Sequence, residues 1–324
     1  MNAPRTRVQR RPVHGVLLLD KPIGLSSNQA LQKAKWLLRA EKAGHTGTLD
    51  PLATGVLPLC FGAATKFSQL YLDADKTYET VLRLGVRTST GDAEGDILEE
   101  KPVQCSMGTV VQVLDDFTGP IEQVPPMYSA LKKDGKALYE YAREGKTVER
   151  AARPVQIHEL ELLDADLVSD APSLTLRIKC SKGTYIRVLG EDIGAALGCG
   201  AHLSSLRRTE TGPFAASACT SLDTLESLPE QERVARLLPV EALLAEHVRI
   251  ELTAEDSARF LSGMRRRGEW ADADKVAVFD PGDQLLGAAK VVSGELIPVR
   301  LLSPTDIQQI QQLQETRTVS QAAA

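Results

Sequence analysis

Apolar residues recur along this chain with two different periods, which predict separate strands and helices. The apolar run GVLLL at 15–19 predicts a buried strand that ends in the turn Asp20-Lys21-Pro22. The capping-box pattern S-x-x-Q follows at 26–29. Behind it, apolar side chains return at helical spacing, so we predict a helix over about 27–40.

The central part of the chain mixes strands and helices without a strict alternation. Residues 44–55 are polar and rich in glycine, which predicts a long loop, and the apolar run at 56–61 predicts a strand. Pro58 favours an edge position for that strand, because proline cannot donate a ladder hydrogen bond. We therefore expect an α+β fold with an antiparallel or mixed sheet. Further strands are predicted at 78–88 and 174–180, and further helices at 106–117 and 185–197.

The C-terminal third differs in composition from the rest of the chain. Residues 220–261 carry nine acidic and four basic side chains, and a domain boundary near 246–250 fits this change. Short apolar runs then predict a small β-rich unit, whereas the last 22 residues are rich in glutamine and predict a disordered tail or a short helix. The predicted strands of this unit lie at 276–279, 284–287 and 299–302.

Composition excludes several classes of protein. The chain has 324 residues, of which 43% are hydrophobic and 25% charged, and this excludes bulk disorder. No stretch approaches roughly 18 uncharged apolar residues, so we expect no membrane partner. The N-terminus lacks the apolar segment of a secretory signal. Five scattered cysteines without a C-x-x-C pair predict reduced thiols in the cytoplasm, and the histidine and cysteine spacing predicts no metal site.

The net charge of −5 hides a strong polarity along the chain. Residues 1–48 hold nine basic and two acidic side chains, a net charge of +7, whereas residues 49–324 carry −12. The segment 127–153 has a net charge of +3 and interleaves tyrosines with its cations. Such local basic footprints suit RNA phosphates, so the total charge does not exclude a nucleic acid partner. A solvated helix face explains 127–153 equally well.

The loop at 44–55 contains the most informative candidate for chemistry. Its glycines permit backbone conformations that other residues avoid, and Pro51 biases Asp50 away from helical geometry. Asp50 stands between Leu49 and Leu52, so the loop presents one partly desolvated carboxylate. A carboxylate of this kind can act as nucleophile, general base or metal ligand. The alternative is a turn residue that bonds to its own backbone.

Three other segments carry candidate binding residues. Tyr185 and Arg187 follow a glycine turn at the start of a predicted helix, where Arg187 can pair with a buried carboxylate or simply lie on the surface. Tyr78 precedes a strand and can stack on a planar ligand or pack at the strand end. The basic cluster at 265–267 also fits a solvated turn.

Five motifs occur in the order that is typical of one enzyme family. Together they resemble the bacterial TruB family, the tRNA pseudouridine synthases that act on uridine 55 of the TΨC loop. The resemblance covers about 15–208, roughly 60% of the chain. The motifs are GVLLLDKPIGLSS at 15–27, AGHTGTLDPLATGVLP at 43–58, DKTYE at 75–79, CSKGTYIR at 180–187 and GCGAHLSSLRR at 198–208.

The resemblance implies a division into domains. It implies an α+β catalytic domain with a mixed, largely antiparallel sheet. The sequence VAVFDPGDQLLGAA at 276–289 looks like part of a small PUA-type RNA-binding domain. The expected division is a flexible basic tail at 1–13, a catalytic domain at 14–246 with a thumb insertion at about 127–153, a PUA-like domain at 247–304 and a polar tail at 305–324.

The resemblance also implies roles for eight residues. Asp50 corresponds to the catalytic nucleophile. The substrate-binding residues are then Tyr78 and Leu206 against the flipped uracil, Tyr185 as a pocket wall, Arg187 as the partner of Asp50, and His45 in the space that the flipped nucleotides leave. Lys21 and Pro22 would support the loop that carries Asp50.

The implied reaction is an isomerisation, in which uracil leaves N1–C1′ and rejoins through C5. We therefore expect a monomeric enzyme with tRNA as its partner through the TΨC arm, and without a cofactor or metal. A tRNA-folding role can coexist with this activity. Two alternatives stay open on the residues alone. One is a phosphotransferase or glycosidase that uses Asp50, and the other is an RNA-binding protein without catalytic activity.

Overall fold

The computed structural model describes residues 9–322, with side chains described up to residue 314. Residues 1–8 of the predicted basic tail and residues 323–324 lie outside the described residues. The helices are α1 (Ser27–Leu37), α2 (Met107–Asp116), α3 (Leu138–Arg143), α4 (Ile186–Ala196), α5 (Leu222–Ser227), α6 (Glu230–Ala235), α7 (Ala254–Leu261) and α8 (Pro304–Ala322). Short 3-10 helices lie at Gly62–Lys66, Ala216–Ala218 and Val240–Leu244.

The strands fall into two main sheets and two short hairpins. Those before residue 222 are β1 (Gly15–Lys21), β2 (Ala43–His45), β3 (Ala53–Phe61), β4 (Lys76–Leu84), β5 (Val86–Thr88), β6 (Ile97–Glu100), β7 (Gly119–Gln123), β8 (Lys132–Lys133), β9 (Lys136–Ala137), β10 (Arg153–Asp166), β11 (Ser173–Cys180), β12 (Ala201–Thr211), β13 (Phe214–Ala215) and β14 (Thr220–Ser221). The later strands are β15 (Val248–Glu251), β16 (Arg266–Arg267), β17 (Ala273–Phe279), β18 (Leu285–Val292) and β19 (Glu295–Leu301).

The larger sheet confirms the predicted mixed, largely antiparallel architecture. Its strand order is β14-β1-β3-β12-β4-β11-β10-β7, with β2 beside β3 and β13 beside β12. The β1–β14 and β3–β12 pairs are parallel, and the other pairs are antiparallel. The alternation predicted over 78–88 is present in β4, where Thr80, Leu82 and Leu84 are buried. The smaller sheet has the order β15-β17-β18-β19-β16.

Both predicted boundaries of the first helix can be compared with the structure. Ser26 is the N-cap of α1 and forms the predicted capping box with Gln29. The C-terminal boundary is shorter than the predicted 40, because Leu38 caps the helix and Arg39 has φ +52°. The loop predicted at 44–55 is also shorter, because β2 extends to His45 and β3 begins at Ala53.

The prediction that Pro58 marks an edge strand is wrong. β3 pairs with β1 along its whole length, and on its other side with β2 over 59–61 and with β12 over 53–55. Pro58 lies in the gap between these two partners, where its carbonyl accepts from the Thr46 N–H at 3.2 Å. A central strand tolerates this proline because no neighbour requires an N–H there.

The prediction of a disordered C-terminal tail is also wrong within the described residues, because α8 is a 19-residue helix. Ser303 accepts from the Asp306 N–H at 3.2 Å, while Asp306 accepts from the Ser303 N–H at 2.9 Å. Lys66 donates to Asp306 Oδ2 at 2.7 Å, and Ile310 is buried against the region between the two sheets. Contacts far apart in sequence therefore hold the start of this helix.

Replacement of Gly55 by alanine should lower the free energy of unfolding by roughly 2–4 kcal/mol. Gly55 has φ +100°, and a Cβ atom there would lie 2.1 Å from the backbone oxygen of Arg208. Denaturant unfolding measures the change. Gly44→Ala is the matched control, because no atom outside its chain neighbours lies within 4 Å of that Cβ position. Equal losses in the two variants would contradict the clash.

Replacement of Asp306 by asparagine should lower the free energy of unfolding by about 1 kcal/mol near pH 7, since solvent screens this partly exposed pair. Burial alone would raise the pKa of Asp306, but hydrogen bonds from Lys66 and Ser303 lower it to about 2. This contribution is full above the unfolded pKa, about 3.9, and is lost as the pH falls through about 2.

Unfolding of wild type and Asp306→Asn should therefore be compared at pH 7 and near pH 2.5. Asp283→Asn serves as the control, because the Asp283 side chain is 78% exposed. A difference between wild type and Asp306→Asn that does not shrink at low pH would contradict the assignment.

Candidate active site

Asp50 lies in the loop between β2 and β3, and the first helix anchors this loop. The Ser27 hydroxyl accepts from the Leu49 N–H at 2.7 Å and donates to the Leu49 carbonyl at 3.0 Å. The Gly24 N–H donates to the Pro51 carbonyl at 2.8 Å. Backbone groups on both sides of Asp50 are therefore bonded to the segment that connects β1 to α1.

Lys21 ties the same two segments together from beneath. Its side chain is fully buried, and its Nζ donates to the carbonyls of Pro22, Leu25 and Pro51 at 2.9, 2.6 and 3.4 Å. Burial lowers the pKa of Lys21 to about 8. Neither Lys21 nor Pro22 lines a cavity, so the geometry suits support of the Asp50 loop rather than substrate contact.

Arg187, in the first turn of α4, pairs with Asp50. Its Nε and Nη2 lie 3.0 and 2.9 Å from the same oxygen, Asp50 Oδ2. Arg187 also donates to the carbonyls of Thr90 at 2.9 Å and Tyr128 at 2.7 Å. The Arg187 side chain is 6% exposed and that of Asp50 is 40% exposed. A held guanidinium therefore fixes a carboxylate that still reaches solvent.

A cavity of about 350 Å³ opens beside this pair. It brings together five of the predicted site residues, whose positions in the sequence span more than 150 residues. A second cavity of about 610 Å³ shares Asp50 and Arg187 with the first and contains His45. The five predicted residues in the first cavity are Asp50, Tyr78, Tyr185, Arg187 and Leu206.

The two tyrosines of the first cavity are held differently. Tyr78 is 8% exposed on β4, and burial raises its pKa while the nearby Arg208 cation opposes this. Tyr185 is the N-cap of α4, and its N–H donates to Gln123 Oε1 at 3.0 Å. Burial also raises the pKa of Tyr185. Both rings are thus neutral, apolar walls with polar tips near pH 7.

The sequence interpretation missed Asp92, which it placed only in a turn. The Asp92 side chain is 5% exposed, and its Oδ2 lies 3.6 Å from Arg187 Nε. The Thr90 hydroxyl donates to Asp92 Oδ1 at 2.5 Å. Nothing in the local pattern STGDAEGD signals this burial, because it depends on the bridge between Asp92 and Leu203 of β12.

Two buried cations of the first cavity were missed as well. Lys76 and Arg208 are 8% and 2% exposed. Burial and the Arg208 cation lower the pKa of Lys76 to about 8. A signal for Arg208 was present, because Leu206 and Arg208 are two residues apart on a strand and thus share one face.

The basic segments differ in what surrounds them. In 127–153, Tyr128 and Ser129 border both cavities, while Lys136 and Arg143 lie 4.7 and 5.3 Å from the centres of tyrosine rings. In the cluster at 265–267, Arg265 pairs with Glu295 at 3.0 Å and Arg266 pairs with Asp256. The second cluster is therefore largely neutralised by carboxylates.

Two searches of the described residues limit other site types. Among residues 9–322, no group of three or more His, Cys, Asp or Glu side chains is placed to hold a metal ion. None of the described helices is long and apolar enough to cross a membrane.

Comparison with known proteins gives consistent similarities. The family profile described as the TruB family pseudouridylate synthase (N terminal domain) matches residues 35–186, and that of the tRNA pseudouridylate synthase B C-terminal domain matches 187–245. The tRNA pseudouridine synthase B of Verminephrobacter eiseniae is 63% identical over 316 residues, covering 95% of this chain and 94% of that protein. That of Ralstonia nicotianae is 59% identical over 299 residues, covering 90% and 95%.

Solved structures show the same fold. The chain is similar to one in a crystal structure of a Cbf5-Nop10-Gar1 complex, with a TM-score of 0.66, 27% identity and coverage of 91% of this chain and 85% of that one. It is also similar to one in an H/ACA RNP bound to a substrate RNA containing 2'-deoxyuridine, with a TM-score of 0.66, 25% identity and coverage of 90% and 86%. The chain therefore belongs to the TruB family of tRNA pseudouridine synthases, which form pseudouridine in tRNA.

Proposed function

We propose that this enzyme converts uridine 55 of the tRNA TΨC loop to pseudouridine, with Asp50 as the nucleophile. The observation that carries the proposal is the geometry of the Asp50 carboxylate. Arg187 contacts Asp50 through Oδ2 alone, and no described residue forms a hydrogen bond to Oδ1. One carboxylate oxygen is thus held by the protein, while the other is left for the substrate.

The cavity next to Asp50 suits a single flipped nucleotide. Its volume of about 350 Å³ exceeds that of a base, and Tyr78 and Leu206 supply an aromatic and an aliphatic surface. An extruded base needs such surfaces because flipping costs a few kcal/mol of stacking and pairing. We propose that His45, in the neighbouring cavity, occupies the space that the nucleotide leaves in the loop.

The proposed reaction requires three bond changes at the uridine. The N1–C1′ bond breaks, the base turns, and a C5–C1′ bond forms with loss of the C5 proton. A carboxylate can hold a covalent intermediate during the turn, whether Asp50 attacks C1′, adds to C6 or first removes the 2′ proton. We propose that Tyr78 receives the C5 proton. These steps use side chains of this chain and need no cofactor.

We propose that the TΨC arm lies across the cavities beneath the segment 127–153, which acts as a thumb. Tyr128 and Ser129 border both cavities, and the segment has a net charge of +3. The strands between Val248 and Leu301 enclose their own buried cluster, which supports a separate PUA-like unit at 247–304 beside a catalytic unit at 14–246. All assigned side chains come from one chain, so a monomer suffices, and we propose that it acts in the cytoplasm.

A glycosidase that uses Asp50 fits this geometry less well. A retaining glycosidase needs a second carboxyl group about 5–5.5 Å from the first, and that group must reach the substrate. Asp92 shares Arg187 with Asp50, but its side chain is 5% exposed and is bonded by Thr90. Asp50 is therefore the carboxylate of this pair that can act on a ligand.

Replacement of Asp50 by asparagine should reduce turnover by at least about 1,000-fold, because an amide is a far weaker nucleophile than a carboxylate. Release of tritium from 5-labelled uridine in tRNA reports turnover, and mapping of pseudouridine identifies the modified position. Affinity for tRNA should stay within about threefold, since the amide keeps the shape of the side chain. Asp116→Asn, on the outer side of α2, is the control. Full activity of the Asp50 variant, or modification at another uridine only, would refute the proposal.

The tRNA-folding role predicts a different response of the same variant. If binding alone promotes folding, Asp50→Asn should accelerate refolding of a denatured tRNA as strongly as the wild type, within about twofold. A structure-sensitive fluorophore in the tRNA follows this rate. Loss of the acceleration together with turnover would remove the separate folding role.

A further inference from the structure

Arg208 lies next to Tyr78 through strand pairing. The two residues are directly opposite each other on the antiparallel strands β12 and β4, and Leu206 is opposite Thr80. Side chains of opposite residues lie on the same face of a sheet, about 4.5–5.5 Å apart at Cβ. Arg208, Tyr78 and Leu206 therefore form one patch of the cavity wall.

The environment of Arg208 is unusual for a buried cation. The side chain is 2% exposed, and Nε donates to the Val56 carbonyl at 2.7 Å. Within residues 9–322, no carboxylate lies within ion-pair distance of it, and its buried Nη2 has no hydrogen-bond partner. A buried charge without a counterion is costly, so the protein retains this group against a free-energy penalty.

The chemistry of guanidinium restricts what Arg208 can do for Tyr78. Arginine has only donors, whereas the Tyr78 oxygen has lone pairs to accept them. Donation to this oxygen favours negative charge on it. Active-site hydrogen bonds are often long in the free enzyme and shorten when substrate is bound.

We propose that Arg208 is a positioning residue that donates to the Tyr78 hydroxyl oxygen and prepares it to accept the C5 proton of the turned uracil. In that step the C5–H bond breaks and its electron pair restores the C5=C6 double bond. The proton joins the phenolate oxygen of Tyr78, and the phenol returns it to solvent before the next turnover. This inference rests on the proposed function.

The charged groups around Tyr78 support this direction. Burial raises the pKa of Tyr78, the Arg208 cation lowers it, and Cys180 of β11 and Asp50 of the loop raise it. Lys76 lies two residues earlier on the same strand. Of the surrounding strands and the Asp50 loop, Arg208 thus supplies the cation that favours the proton-accepting form of Tyr78.

A double-mutant cycle tests the proposal. Arg208→Gln keeps much of the side-chain volume but loses the charge, and Tyr78→Phe removes the hydroxyl. In the Tyr78 background, Arg208→Gln should lower kcat at least about tenfold, with KM within about threefold. In the Tyr78→Phe background, the same substitution should lower kcat by less than about twofold, because the group on which Arg208 acts is gone.

Controls separate this role from a general loss of structure. Arg207→Gln alters the adjacent arginine, which pairs with Asp20 on the other face of β12, and should change kcat by less than about twofold. Arg208→Lys keeps the charge and one donor, so its kcat should lie between wild type and Arg208→Gln. The increase of kcat with pH should also move to higher pH in Arg208→Gln, because Tyr78 loses the cation that lowers its pKa.

Three outcomes would overturn the role of Arg208. These are equal losses of kcat in both Tyr78 backgrounds, an effect on KM alone, or an unshifted pH profile. If Arg208→Gln does not fold in thermal unfolding, the cycle with Arg208→Lys decides between equal and unequal losses. Absence of tritium release from the wild type would refute the proposed function itself, whereas an active wild type with additive losses refutes only the positioning role.

Discussion

The buried guanidinium of Arg187 is the interaction on which the arrangement of the site depends. It binds Asp50 of the β2–β3 loop, the Thr90 carbonyl after β5 and the Tyr128 carbonyl of the basic segment. A cation with 6% exposure is stable only if its donors are satisfied and its charge is balanced. Asp50 and Asp92 supply that balance, so four separate parts of the chain meet at one charge.

The sheet determines where these groups meet. β3 pairs with β12 in parallel over three residues only, and this short contact brings the end of the Asp50 loop beside Leu206 and Arg208. The close approach leaves no room for a side chain at Gly55, which explains the glycine at this position. The loop, the base-contacting strand and the tyrosine strand β4 are therefore adjacent because of backbone pairing rather than side-chain attraction.

Charge in this protein has to be considered by location. The net charge of −5 would not suggest an RNA partner. Around the cavities, however, Lys21, Lys76, Arg187 and Arg208 are all buried, and the two lysines have pKa values lowered to about 8. Positive potential in a low-dielectric wall acts more strongly on a bound nucleotide than the same charge in solvent. The acidic surface elsewhere has little influence at that distance because salt screens it.

The sequence by itself determined the fold class, the family and the segments that meet at the site. Glycine and proline around Asp50, the capping box of α1 and the alternation in β4 are local patterns, so they could be predicted. It did not predict the central place of Pro58, the helix α8, the burial of Asp92 or the contact between Arg208 and Tyr78. Each of these depends on partners between 40 and 240 residues away or on a neighbouring strand that is absent at one position. The tertiary structure decided them because burial, and the cost of an unpaired charge or a missing donor, are properties of all the surrounding elements together.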